Sequence, residues 1–139
     1  MKWLLDNNIF FPLLTASHAG HQTVHAWLAR EGHAGWGVTV ETYLGGIRKL
    51  MNPATMNGTP MRAREAVKIA STTLAEKQYG RGQIVIGGKP DNALYETAQG
   101  HKQIMDFYLV QVARDNALRL VTRDNALLSS FPKIATPPI

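Results

Sequence analysis

The 139-residue chain is 45% hydrophobic and 18% charged, which suits one globular domain with a core of its own and excludes an intrinsically disordered chain. It contains no cysteine, which excludes disulfides and thiolate metal sites. Fifteen Lys and Arg against ten Asp and Glu leave a net charge of +5, a balance that favours a polyanionic partner such as nucleic acid or an acidic protein segment.

Lys2 to Leu5 reads as a short first strand that ends on Asp6, followed by a turn at Asn7-Asn8. Ile9 to Leu14 reads as a short helix, with Pro12 tolerated only near its start. In the segment His21 to Arg30, Val24, Trp27 and Leu28 recur at helical spacing before a stop at Gly32. Trp36 to Val40 is a second strand, and Thr39 is placed to cap the helix that follows. That helix carries Glu41 in its first turn and Leu44, Ile47, Leu50 and Met51 as its apolar stripe. It ends at Asn52-Pro53. Its Gly45-Gly46 pair lowers helix propensity by about 1 kcal/mol per residue and suits close approach of a neighbour.

A further helix is expected from Pro60 or Met61 to about Gln78, then a strand from Gln83 to Ile86 and a short helix from Asp91 to Ala98. Ile104 to Leu118 reads as a helix with Asp106 in its first turn, Leu118 to Thr122 as a strand and Asn125 to Leu128 as a helical turn. Ile134 to Thr136 reads as an edge strand. Strands alternating with helices predict one α/β domain over residues 1–139: a small, mostly parallel central sheet flanked by helices. No apolar run reaches membrane-spanning length and Asp6 interrupts any signal-peptide layout, so a cytoplasmic protein without membrane contact is expected.

Asp6, Asp106 and Asp124 each stand among apolar neighbours, where a lone charge is costly to bury. Ligands of open α/β sheets bind beyond the carboxyl ends of the strands. Asp6 and Asp124 follow strands, and Asp106 opens a helix, so all three belong to that edge. Converging there they would repel, and a hard cation, Mg²⁺ or Mn²⁺, would relieve the repulsion, orient a water and stabilise charge on a phosphoryl oxygen. The alternative stays open that each acid is a turn or helix cap. His18, His21 and His25 have helical metal-ligand spacing but no acid near them in sequence, which favours loop or surface roles.

Taken in order, Leu4-Leu5-Asp6-Asn7-Asn8, the stretch Gly100 to Leu109 around Asp106, and Leu120-Val121-Thr122-Arg123-Asp124 resemble the motifs of PIN-domain ribonucleases, specifically the VapC-type toxins of bacterial toxin–antitoxin pairs. Thr42-Tyr43-Leu44-Gly45-Gly46-Ile47-Arg48 with Asn52-Pro53 is similar to the helix of one subfamily. The resemblance implies a PIN-like three-layer sandwich and Mg²⁺-dependent hydrolysis of RNA. It implies Asp6 and Asp106 as principal metal ligands, Asp124 completing the pocket, and Asn8 and Thr122 as supporting groups. It also implies a homodimer neutralised by a cognate antitoxin. Many members carry a Glu in the column aligned with Gly45. Here Glu41 stands one turn earlier, either reaching the metal or only favouring the helix N-terminus. Arg48, Arg123 and Lys102 would contact RNA phosphates or be ordinary solvated charges. Trp27 would serve a partner contact or the core. Against the toxin reading stand a non-catalytic PIN-like nucleic-acid or protein-binding module, which the Gly45 departure and the basic charge suggest, and a small metal-dependent phosphatase, for which Asp6-x-Asn8 lacks the second acid.

Overall fold

Trp3, Leu4 and Leu5 form the central strand, and the rest of the chain is laid out from it. In the computed structural model, which describes residues 1–139, β1 (Trp3–Leu5) pairs in parallel with β2 (Trp36–Thr39) on one side. On its other side it pairs in parallel with a strand at Arg119–Val121, β4. The sheet is completed by β3 (Gly82–Val85) beyond β2 and β5 (Ala135–Thr136) beyond β4, giving the order β3-β2-β1-β4-β5 with every pairing parallel. The expectation of a mostly parallel sheet is therefore met in its strictest form.

Side chains alternate across a strand, so β1 serves two cores at once. Trp3 and Leu5 join Trp36, Val38 and Val121 on one face, against α1 (Asn7–Leu14), α2 (His21–Glu31), α3 (Val40–Leu50) and α4 (Ala63–Ala75). Leu4 points the other way, joining Val85, Leu118 and Leu120 under α5 (Asn92–Tyr95), α6 (Gln103–Asp115) and α7 (Asn125–Ser130). Helices on both faces of a parallel sheet make a three-layer α/β sandwich. The buried tryptophans keep their N–H groups paired: Trp36 Nε1 donates to the Tyr79 carbonyl at 2.8 Å and Trp3 Nε1 to the Glu31 carbonyl at 3.1 Å. Trp27 is 2% exposed and packs edge-on to Trp3, so it belongs to the core and offers no surface to a partner.

Several boundaries shift for identifiable reasons. Asn7-Asn8 is the first turn of α1 rather than a separate turn, because Asp6 caps the helix through its side chain. Thr39 caps α3 as expected, accepting from the Thr42 N–H at 3.2 Å. The inward stripe of α3 is Thr42, Gly46, Ile47 and Leu50, while Leu44 and Met51 face solvent. Gly46 sets that rotation: a Cβ there would lie 2.9 Å from Leu14 Cδ1 and 3.0 Å from the Phe10 ring, so only glycine lets α3 lie this close to α1. The helix expected up to Gln78 ends at Ala75 and gives way to a 3₁₀ turn at Lys77–Tyr79. Asp91 stands at the start of α5 without capping it; its carboxylate pairs with Arg114 instead. The helix expected through Leu118 stops at Asp115, and Ala117 (φ 54°) turns the chain into β4.

Candidate functional site

Strand order reverses between β1 and β4: β2 and β3 extend the sheet to one side, β4 and β5 to the other. This is the switch point of an open parallel sheet, where the two outgoing connections diverge and leave a crevice at the carboxyl edge. Asp6 leaves β1 into that crevice, and Thr122 to Asp124 leave β4 into it.

The two exits are tied together by one hydroxyl. Thr122 Oγ1 donates to Asp6 Oδ2 at 2.8 Å and accepts from Asn8 Nδ2 at 3.2 Å and from the Asp124 N–H at 3.0 Å. Asn8 Oδ1 in turn accepts from the Arg123 N–H at 3.1 Å. Thr122 has one proton to give, so these bonds use it in full. Thr122 and Asn8 thus act as a clamp that sets the direction of the Asp6 carboxylate and holds the backbone turn at Asp124.

Asp6 is 5% exposed and makes no ion pair; the ion pairs of the protein join Arg114 to Asp91 and Asp115. Burial raises its pKa, opposed by the Thr122 bond and by the Asn7 N–H, which donates to Oδ1 at 2.6 Å; the charge of Asp124 then adds to the rise and that of Lys49 lowers it. Asp106, in the first turn of α6, is also raised, first by burial and then by the charges of Asp6 and Asp124. Asp6 therefore feels the charge of Asp124, and Asp106 feels the charges of both. Asp124 caps α7, its Oδ1 accepting from the Leu127 N–H at 3.1 Å. Asp6 caps α1, so for two of the three acids the capping role is real and coexists with the shared neighbourhood.

As they stand, no three acidic or imidazole side chains are close enough to enclose a metal ion. The donor set is nonetheless one that suits Mg²⁺ or Mn²⁺, being all oxygen. Mg²⁺ keeps several waters and takes only one or two protein carboxylates alongside phosphate oxygens, so a closed protein cage is not required. Asp6 and Asp106 would hold such an ion, with Asp124 reaching it directly or through water.

The remaining residues divide. Glu41 is exposed in the first turn of α3, and its charge acts on Tyr108, whose pKa is raised first by burial and then by Glu41. The acidic charges acting on Asp6 and Asp106 do not include it. Gly45 leaves room for Asn7: a Cβ there would lie 2.9 Å from Asn7 Oδ1, a buried oxygen without a hydrogen-bond partner. A glutamate side chain in that column would displace the Asn7 amide. Arg48 lines a polar recess beside the acids, together with Lys49, Asn52 and Thr55. Arg123 leans away towards Gly20 and lines a separate recess with Thr23 and Pro137. Lys102 is exposed at the start of α6. The basic group that acts on Asp6 is Lys49, which sequence spacing did not single out.

His18, His21 and His25 are structural. His18 Nδ1 accepts from the Gly20 N–H at 2.9 Å, His21 Nδ1 contacts the Pro12 carbonyl at 2.8 Å, and His25 Nδ1 meets the Tyr79 hydroxyl at 2.6 Å. No helix is long and apolar enough to cross a membrane. Compared with known proteins, the chain matches no protein-family model and no curated protein.

Proposed function

We propose that this protein is a Mg²⁺-dependent endoribonuclease of the VapC toxin type, with a PIN-like fold, cutting RNA by phosphodiester hydrolysis. One observation carries the reading: Asp6 and Asp106 share the switch-point crevice of a parallel sheet, where burial and like charge, that of Asp124 included, make their ionisation costly and no basic side chain pairs with them. A bound Mg²⁺ would supply a water of lowered pKa and charge stabilisation at a phosphoryl oxygen. The chain's own part is to bring Asp6 and Asp106 to the crevice, with Thr122, itself held by Asn8, fixing the angle of Asp6. Lys49 and Arg48 face the approaching phosphates from α3, and the net charge of +5 draws in a polyanion.

The toxin reading carries partners with it: a second copy of the chain, a cognate antitoxin that covers the site, and a cytoplasmic setting. Met105, 54% exposed and lining the recesses beside the acids, is an apolar side chain such an antitoxin segment would cover. A second reading, a PIN-like nucleic-acid or protein-binding module without catalysis, is favoured by the absence of a closed acid cage and by the turn of Glu41 towards Tyr108.

The deciding experiment is cleavage of single-stranded RNA by the purified protein with Mg²⁺, with EDTA, and with Asp106→Asn. Cleavage should vanish in EDTA and fall by at least about 100-fold in the variant, the scale of losing one preorganised charge-stabilising group. RNA binding without cleavage under any metal would select the binding module.

A further inference from the structure

Two recesses lie side by side next to the acids, and Glu41 and Met105 belong to both. The first, about 490 Å³, is polar: Asn7, Gly45, Arg48, Lys49, Asn52 and Thr55. The second, about 360 Å³, is walled by Pro90, Asn92, Tyr95, Ile104 and Tyr108. Both fall within the 300–1,000 Å³ of ordinary small-ligand clefts. Lys49 acts on Asp6, and Met105 precedes Asp106, so the polar recess adjoins the acids and the aromatic one lies beyond the Glu41–Met105 ridge.

The aromatic recess is held in shape from beneath. Gln111, 2% exposed, accepts from the Tyr95 hydroxyl at 2.6 Å and from the Asp91 N–H at 3.1 Å, and donates to the Lys89 carbonyl at 2.7 Å. Arg114 fastens the same loop through Asp91 at 3.0 Å. On the far side Gly87 lies so close to Tyr108 that a Cβ would stand 2.5 Å from its hydroxyl. Two phenol rings are thus fixed around an opening whose rim carries one carboxylate.

We propose that this recess is a nucleobase subsite, in which Tyr95 and Tyr108 supply the stacking surface and Glu41 selects guanine. The inference rests on the reading of the protein as one that binds RNA. Single-stranded RNA is recognised by splayed bases that stack on aromatic rings and are read along their Watson–Crick edges. A carboxylate only accepts hydrogen bonds. Guanine alone presents two adjacent donors on that edge, N1–H and N2–H; adenine and cytosine each offer one donor beside an acceptor, which would face the carboxylate unfavourably. The basic recess next door takes the neighbouring phosphate, so one nucleotide spans the ridge and places the next phosphate towards Asp6 and Asp106.

The test is equilibrium binding in EDTA, followed by fluorescence anisotropy, of labelled oligouridine carrying one central guanine, inosine or adenine. Guanine should bind about tenfold more tightly than adenine, with inosine, which lacks the N2 amine, between them. Glu41→Gln should reduce the guanine-to-adenine ratio to below about twofold, since its amide offers a donor where guanine needs an acceptor. Glu41 is exposed, so the variant should fold, and an unchanged melting temperature would show it. Equal affinities for guanine and adenine, or a preference that survives in Glu41→Gln, would overturn the subsite while leaving RNA binding intact. Failure to bind any RNA would overturn the subsite, while the nuclease reading would stand or fall with Mg²⁺-dependent cleavage. Guanine preference without Mg²⁺-dependent cleavage would keep the subsite and defeat the nuclease.

Discussion

Gln111 and Asp6 are buried to nearly the same degree, 2% and 5% exposed, yet the protein treats them in opposite ways. Gln111 has its amide oxygen and nitrogen paired, to Tyr95, Asp91, Lys89 and Asp115. Asp6 accepts two hydrogen bonds but makes no ion pair, Lys49 acting on its charge only from a distance and Asp124 adding repulsion. The first is how a stable interior handles a polar group. The second lowers stability and makes sense where a positive ligand completes the site. The contrast separates the part of the carboxyl edge built for shape from the part built for charge.

The largest test of that contrast is Gln111→Leu. Leucine fills similar volume but leaves the Tyr95 hydroxyl, the Asp91 N–H and the Lys89 carbonyl without their partner. Water reaches some of these groups, so a loss of about 2 kcal/mol is expected, or roughly 6 °C in melting temperature by calorimetry. A variant as stable as the wild type would show that the network only decorates the loop.

Thr122→Val comes next. It removes the donor to Asp6 and the acceptor for Asn8 and for the Asp124 N–H. About 1 kcal/mol of stability should be lost. The Thr122 bond lowers the pKa of Asp6, so without it that pKa rises further above the ordinary carboxylate range. Cation binding needs the ionised form, and the acidic limb of the cleavage profile should therefore move to higher pH. A stable variant with an unmoved limb would take Thr122 out of the site's electrostatics.

What could be read from the chain was what lies within a few residues. The run Trp3-Leu4-Leu5 ending on Asp6, the Thr39 cap, and Leu120-Val121-Thr122 before Asp124 are local patterns, and each became the expected element. The Gly45-Gly46 pair announced a close approach, and α1 supplied it. What stayed hidden depends on how distant segments meet. Lys49 acts on Asp6 because α3 lies along α1, and Glu41 of α3 meets Tyr108 of α6 at the recess both line. Gln111 draws most of its partners from segments about twenty residues away, Lys89, Asp91 and Tyr95. The exposure of Leu44 and Met51 has the same origin, since contact at Gly46 turns the helix away from its most apolar stripe.

Asp106→Asn carries the smallest expected effect on stability and the sharpest sign. Its pKa in the folded protein is raised, so the folded state holds the proton more tightly than the unfolded chain does. Stability from this group therefore falls as pH climbs from the ordinary carboxylate range through the raised value. Asparagine carries no charge to desolvate and none to repel Asp6 and Asp124. At pH 7 without metal the variant should melt about 1–3 °C higher than the wild type, and the advantage should vanish in acid, where the wild-type carboxyl is protonated. Added Mg²⁺ should raise the wild type and leave the variant almost unmoved, because a ligand stabilises only the state that binds it. The order of the two melting temperatures would then narrow or reverse with Mg²⁺. An equal metal shift in both proteins would remove Asp106 from the ion's neighbours, whatever the cleavage assay shows.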